Sequence, residues 1–316
     1  MGPSRQKDRD ALATTRARRV RAVARARHRT AAEAGRWRME TERWGWPRQA
    51  ARPHPALRQL LARDYWGITS ETAPHRLLVP ATVSVPLVLK ICDSPHRPPA
   101  FLHGVHDRFA VMDGDCASSY VEIWMAPFGA YQLLGRPVRE LGGEVVDMES
   151  VFGAAGRRLL EAVRERSTWR GRFAAVDSFL LKAAERGPRP SPEVIRAWHL
   201  LTGSGGAIPI GNVAADVGWS HKHLIAKFTE QVGLRPKTAA RLIRFDAVWR
   251  RLDQRRRLDW GQVAADAGYA DQAHLVRDFR QFTGTTPTRF QARTLPPAGD
   301  GEQEVNSVQD AVAASS

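Results

Sequence analysis

The chain has 316 residues, 43% of them hydrophobic, with 10 Trp and 11 Phe, a composition that suits two globular domains and excludes a disordered or fibrous protein. Its two cysteines, Cys92 and Cys116, are too few for a disulfide-stapled scaffold or for a structural zinc site of three or four thiolates. The net charge of +15 points to a polyanionic partner, and by segment it is about +11 over residues 1–60, about +1 over 61–207, about +7 over 208–296 and about −4 thereafter.

Residues 1–38 (…TTRARRVRAVARARHRT…) alternate Arg with small residues and hold few large apolar groups, which defines a low-complexity leader. Two readings of it stand. It is a basic arm that adds phosphate contacts, or it is a segment outside the functional protein, with translation starting at Met39, where aromatic residues become dense. There is no run of about 18 apolar residues and no apolar secretion stretch, so no membrane association and a reducing, cytoplasmic location are expected.

Residues 39–186 are expected to form an N-terminal sensory, regulatory or oligomerisation domain. From about residue 75 to 134 the runs LLVPATVSVPLVLKI, HDRFAVMD and YVEIWMAPFGAYQLLG predict strands between Pro and Gly punctuation. Pro80 and Pro86 lack an amide hydrogen and belong at strand ends, edges or bulges. Trp124, Phe128 and Tyr131 are either core or the lining of a ligand cavity. Between Val151 and Leu201 the period becomes helical, with Leu159, Leu160, Val163, Phe173, Val176, Phe179 and Leu180 three or four residues apart. Ser191 suits an N-cap with Pro192 in the first turn, and GSGG at 203–206 reads as a flexible joint. Residues 187–207 are therefore expected to be a linker region with a short helix, and 294–316 a disordered tail.

The C-terminal third repeats itself. VAADVGWSHKHLIAKFTEQVGLRP at 213–236 returns as VAADAGYADQAHLVRDFRQFTGTTP at 263–287, over roughly two dozen residues. Each copy reads as a short helix, a tight turn and a second helix. Ala214 and Ala264 allow close helix approach, Gly218 and Gly268 can take the positive φ of a sharp turn, and Ser220 and Asp271 can cap the second helix. Leu224 and Phe228, like Leu275 and Phe279, lie one turn apart and face inward; Pro287 closes the second copy. The opposite faces are left to read DNA, since a helix fits the major groove. They comprise His221, Lys222, Ile225 and Ala226 in the first copy and Gln272, Ala273, Val276 and Arg277 in the second, where Gln suits adenine and Arg guanine. Between the copies Leu242, Ile243, Phe245, Val248, Trp249 and Leu252 keep a helical period, which predicts a rigid connecting helix. Arg235, Lys237, Arg241, Arg280 and Arg289 are candidates for phosphate contact.

At GYADQAHLVRDFRQFTGTTPTRF (268–290) and GWSHKHLIAKFTEQVGLRPK (218–237) the chain resembles the AraC family of transcription regulators. The resemblance covers about 205–293 and implies an AraC-type DNA-binding domain at 208–293, with Lys222, Ile225 and Ala226 at the first groove and Gln272, Ala273 and Arg277 at the second. Ile225 and Ala226 stand where relatives commonly carry polar readers, which leaves the first unit to read thymine methyls or DNA shape, or to contribute little specificity. Residues 52–186 resemble an uncharacterised N-terminal domain found with this family. The expected fold is α+β: a small N-terminal mixed β-sheet domain with helices, then an all-α domain of two helix-turn-helix units joined by a long helix. The expected function is sequence-specific regulation of transcription on double-stranded DNA, cytoplasmic and nucleoid-associated. RNA polymerase, a small-molecule effector on the N-terminal domain and a second copy of the chain stay open as further partners, and no cofactor is expected. Two other classes compete with this reading. A DNA-alkyl-accepting enzyme would use Cys92, His96, His103, His106 or Cys116 around zinc, but their spacings form no tight ligand pair; nor is there a P-loop or a G-x-S-x-G elbow. A nonspecific basic DNA binder would show steep salt dependence without sequence preference.

Overall fold

The computed structural model describes residues 37–39, 48–70, 75–92, 97–114, 118–252 and 258–294. The leader up to residue 36, the tail beyond Thr294, and His96 and Cys116 among the metal candidates lie outside the described residues.

The N-terminal domain is built on two sheets. Strands β1 (Trp37–Met39), β4 (His75–Val79) and β7 (Ala110–Gly114) form one, with β1 parallel and β7 antiparallel to the central β4. The larger sheet is antiparallel throughout, in the order β2 (Arg48–Ala51), β3 (Tyr65–Ser70), β8 (Ser118–Met125), β5 (Val85–Lys90), β6 (Ala100–His103), β9 (Val145–Asp147). Alternation places Val121, Ile123 and Met125 of β8 beside Val85, Leu87 and Leu89 of β5 in the core, each of them buried. Every such side chain removed from water stabilises the domain by about 1.5–3 kcal/mol before entropy is counted. The run 77–91 is thus two strands in different sheets. Pro80 follows the end of β4, and Pro86 lies opposite Trp124 ahead of the segment 87–89 that pairs with β6, where its missing donor interrupts no ladder.

Helices cover the large sheet: α1 (Pro127–Leu134), α2 (Met148–Phe152), α3 (Ala154–Glu165) and α4 (Trp169–Arg186). Residues 127–134 were expected as strand and are helix α1. Pro127 opens its first turn and Gly135, at φ 67°, closes it in the left-handed region, a Pro-first, Gly-last pattern that stops β8 from continuing. Trp169 of α4 lies against Gly67 so closely that a Cβ there would come within 2.3 Å of its ring. Phe173 stacks on both Trp169 and Tyr65, and the Tyr65 hydroxyl donates to Asp177 at 2.8 Å.

The C-terminal region is all helical: α5 (Pro192–Gly203), α6 (Ile210–Asp216), α7 (His221–Val232), α8 (Pro236–Leu252), α9 (Trp260–Asp266), α10 (Gln272–Thr283) and α11 (Pro287–Thr294). Helix α5, expected in a linker, is part of this body: Val194, Ala197 and Leu201 share one buried cluster with Val213, Leu224, Phe228 and Ala239. Nor is GSGG a loose joint. Gly206 is buried at φ 77°, its amide donates to Leu201 O at 2.7 Å, and a Cβ on it would lie 2.2 Å from Ala240 O. Only glycine fits that approach. Ser191 sits at the N-cap position but makes no capping bond; it exchanges two hydrogen bonds with Gln231 instead, at 2.9 and 2.6 Å.

Candidate nucleic-acid interface

The two repeats fold alike down to their hydrogen bonds. In the first, Gly218 at φ 70° donates to Ala215 O at 3.2 Å, and Trp219 donates to Ala214 O at 2.9 Å. In the second, Gly268 at φ 73° donates to Ala265 O at 3.1 Å, and Tyr269 to Ala264 O at 2.9 Å. Ser220 then accepts from the His223 amide and Asp271 from the His274 amide, satisfying orphan donors at the two helix starts. Leu224, Phe228, Leu275 and Phe279 are fully or nearly fully buried. Pro287, also buried, opens α11.

Sequence inspection missed two further duplicated features. Each turn aromatic meets the histidine of its own second helix edge-on, Trp219 with His223 at 4.6 Å and Tyr269 with His274 at 5.1 Å, an arrangement aromatic rings favour. The repeated aspartates are each held by an arginine of the preceding long helix: Asp216 by Arg196 of α5 at 2.8 Å, Asp266 by Arg251 of α8 at 3.2 Å. Helix α5 is thus to the first unit what α8 is to the second, and each unit has three helices. Both aspartates were visible in the repeat, and an arginine search one helix upstream would have found their partners.

The second helices carry the faces expected to read bases. His221, Lys222, Ala226, Gln272, Ala273 and Arg277 are exposed, while Ile225 and Val276 are half-buried. Arg235, Lys237, Arg280 and Arg289 are exposed as well. Arg241 departs from its expected part. Its guanidinium reaches Asp278 through Nε at 3.1 Å and Nη2 at 2.6 Å, and Gln281 at 2.7 Å, so it ties α8 to α10 across a buried carboxylate. Lys237, Arg241 and Arg277 do come together, around a cleft between α8 and α10 that Arg244 and His274 also line. Helix α8 splits its apolar contacts as a connector should: Ala239, Ala240 and Ile243 pack on the first unit, Phe245, Val248 and Leu252 on the second.

The helix-turn-helix domain family model matches residues 194–293, beginning inside α5 and ending in α11. The C-terminal region is a helix-turn-helix domain. The protein is accordingly a DNA-binding transcription regulator. A second family model, a domain of unknown function (DUF6597), matches residues 49–147, the sheet of the N-terminal domain. No curated protein matches the sequence. Among solved structures, the C-terminal domain of AraT, a response regulator from Geobacillus stearothermophilus, is 18% identical over 37% of this chain and 98% of its own, with a TM-score of 0.33. ToxT from Vibrio cholerae O395 is 11% identical over 78% of this chain and 93% of its own, with a TM-score of 0.38.

The N-terminal domain grips the helix-turn-helix domain at the far end of both second helices, α7 and α10. Each ends on a left-handed glycine, Gly233 at φ 87° and Gly284 at φ 73°, and each glycine is a notch. A Cβ on Gly233 would lie 2.4 Å from Val105 and 2.8 Å from Val138; one on Gly284 would lie 2.9 Å from the Phe109 ring. Backbone bonds flank the second notch, from Ala81 to Phe282 O at 3.0 Å and from Phe109 to Gln281 O at 3.3 Å, and Gln281 donates to Asp107 O at 2.9 Å. Beside the first notch, Phe128 of α1 meets Trp198 edge-on at 5.9 Å, and Arg139 lies 3.8 Å from Glu230.

The three aromatic candidates have different partners. Phe128 faces the C-terminal region, Arg63 lies 4.1 Å over the Trp124 ring, and Tyr131 packs on the core. Among the candidate ligands, His103 and His106 are buried with ring centroids 4.5 Å apart and share Gly104 O, while Cys92 is exposed. Burial, reinforced by the neighbouring His106, lowers the His103 pKa to about 4. Among the described residues no three His, Cys, Asp or Glu side chains cluster for a metal, and no helix is long and apolar enough to cross a membrane.

Proposed function

We propose that the protein regulates transcription by reading two successive major-groove faces of an operator. His221, Lys222, Ile225 and Ala226 of α7 meet one face, and Gln272, Ala273, Val276 and Arg277 of α10 meet the other. Arg235, Lys237, Arg280 and Arg289 supply phosphate contacts that position both helices without specifying sequence. The observation that carries this reading is the duplicated turn-and-cap geometry, which leaves the first turns of α7 and α10 exposed while burying their leucines and phenylalanines. The second unit carries most of the specificity, because Gln272 and Arg277 can form paired hydrogen bonds to base edges, whereas Ile225 and Ala226 offer only apolar contact.

Control passes through the two glycine notches. A small-molecule effector, RNA polymerase or a second copy of the chain that shifts the 104–109 loop moves Val105 and Phe109 together, and with them the ends of both reading helices. The protein works in this scheme without catalysis, in the cytoplasm at the nucleoid. Competition binding tests the core of it: at physiological salt, a fragment from the protein's own promoter region should be preferred over random DNA by at least about tenfold, well within the usual specific range. Equal affinity for both would reduce the protein to a basic, nonspecific binder.

A further inference from the structure

The cleft between α8 and α10 has a volume of about 480 Å³, and its charge is out of balance. Helix α8 contributes Lys237, Arg241 and Arg244, spaced so that they share one face; helix α10 adds Arg277. The one carboxylate of the lining, Asp278, is 2% exposed, holds Arg241 through Oδ1 and keeps Oδ2 buried without a hydrogen bond. Arg244 is the informative residue. It is half-buried, no carboxylate pairs with it among the described residues, and its Nε is buried without a hydrogen-bond partner. Its guanidinium carbon lies 5.6 Å from the centre of the Tyr269 ring, whose hydroxyl is also buried and unpartnered. A guanidinium nitrogen withdrawn from water beside three other cations is costly unless an acceptor reaches it. It is a donor only, so the group that completes it must be an acceptor, and three lining cations in excess of the one carboxylate favour an anion.

We propose that this cleft is a phosphate-binding site with the half-buried Arg244 as its anchor and Lys237 and Arg277 as its outer arms. Because Arg277 also belongs to the reading face of α10, the occupant is either a backbone phosphate beside the bases that α10 reads or a free phosphate ester. The DNA arm of this proposal rests on the function proposed above; the free-ligand arm does not. Phosphate fits the spread of donors, since its oxygens accept from several cations at once. Occupancy would also fix the Arg277 stem against α8, turning a flexible exposed side chain into a preorganised reader.

The test uses the full-length chain as wild type, Arg244→Gln, Arg244→Lys and, as a charge-matched control on exposed α4, Lys182→Gln. Inorganic pyrophosphate is titrated by calorimetry, and binding to the promoter fragment is measured across a range of salt. Saturable pyrophosphate binding that weakens at least tenfold in Arg244→Gln, but not in Lys182→Gln, establishes a site for free phosphate esters. Without pyrophosphate binding, a log K against log salt slope that falls by about 1 in Arg244→Gln assigns the site to the DNA backbone. Arg244→Lys keeps the charge and the fold and should keep the slope. Wild-type behaviour of Arg244→Gln in both measurements overturns the proposal, as does an equal change in Lys182→Gln. If the wild type shows no preference for its promoter fragment, the regulator reading fails, and the pyrophosphate titration alone then decides the cleft.

Discussion

The first and second helix-turn-helix units have the same turn in different surroundings. Their turn hydrogen bonds agree to within about 0.1 Å, and both close on a left-handed glycine. Around that turn the first unit packs mainly aliphatic side chains, with Trp198 stacked on Phe228 at 6.3 Å. The second packs rings: Phe279 meets Phe245 at 5.5 Å, Trp260 at 5.9 Å and Phe290 at 5.7 Å. The residue before the core phenylalanine is exposed to its ordinary partners in one unit, Lys227 with Glu230 at 3.1 Å, and is the buried, arginine-held Asp278 in the other. A duplicated scaffold therefore fixes helix placement, and its copies are free to diverge in rigidity and in reading chemistry.

The largest effect should separate the two cores. Phe279→Ala and Phe228→Ala are each expected to cost about 3–5 kcal/mol in denaturant unfolding, with Phe279→Ala the greater loss because it empties a ring cluster. The reverse order would break the contrast between the units. Next comes the buried ion pair. Asp278→Asn leaves Arg241 half-buried without its counter-charge and should cost about 2–3 kcal/mol, whereas Lys227→Ala at the matching position should cost less than about 0.5 kcal/mol. Similar losses at both would show that the pair is not what stiffens the second unit.

The notches sharpen the comparison further. Gly284→Ala places a Cβ in the left-handed region and against Phe109, for an expected loss of about 1–2 kcal/mol. Phe109→Ala should recover part of that loss but none of a Gly233→Ala loss, which a double-mutant cycle reads directly. The end of β6, just before the 104–109 loop, also predicts a pH effect. The folded pKa of His103 lies near 4, below its unfolded value, so the native ring stays neutral while the unfolded ring gains a proton below about pH 6.5. Its contribution is complete above that pH and is lost as pH falls toward 4, at up to about 1.4 kcal/mol per pH unit. His103→Gln should flatten the dependence of the unfolding midpoint on pH across this window; an unchanged slope would place the proton uptake elsewhere.

What could be read from sequence follows from what is local. The turn glycines, both N-caps and the inward Leu and Phe pairs are short-range requirements, and all of them stand where the repeat placed them. The partners of elements are not local. Helix α5 has an amphipathic stripe that any neighbour could cover, and only the fold shows that the first unit covers it. Gly206 looks like flexibility in composition and serves close packing against Ala240. Helix α1 carried readable end signals in Pro127 and Gly135, but the apolar density of β8 runs into it without a break. The insertion of β8 between β3 and β5 joins it to one segment about fifty residues away and to another about 30 to 40 residues away, beyond the reach of any periodic pattern. Arg244 resembles every other surface arginine until its burial and missing acceptor are seen. Arg241, one turn earlier, resembles a phosphate contact until Asp278 is seen beneath it.

The claim on which the rest depends is that α10 reads bases through Arg277 while its other cations hold the backbone. Binding of wild type, Arg277→Ala and Arg280→Ala to the promoter fragment and to its single-base-pair variants tests that directly. The account predicts that Arg277→Ala loses about 1–3 kcal/mol and becomes indifferent at one base position, while Arg280→Ala weakens every sequence alike. Uniform losses from both substitutions, or preserved preference at every position in Arg277→Ala, would contradict it.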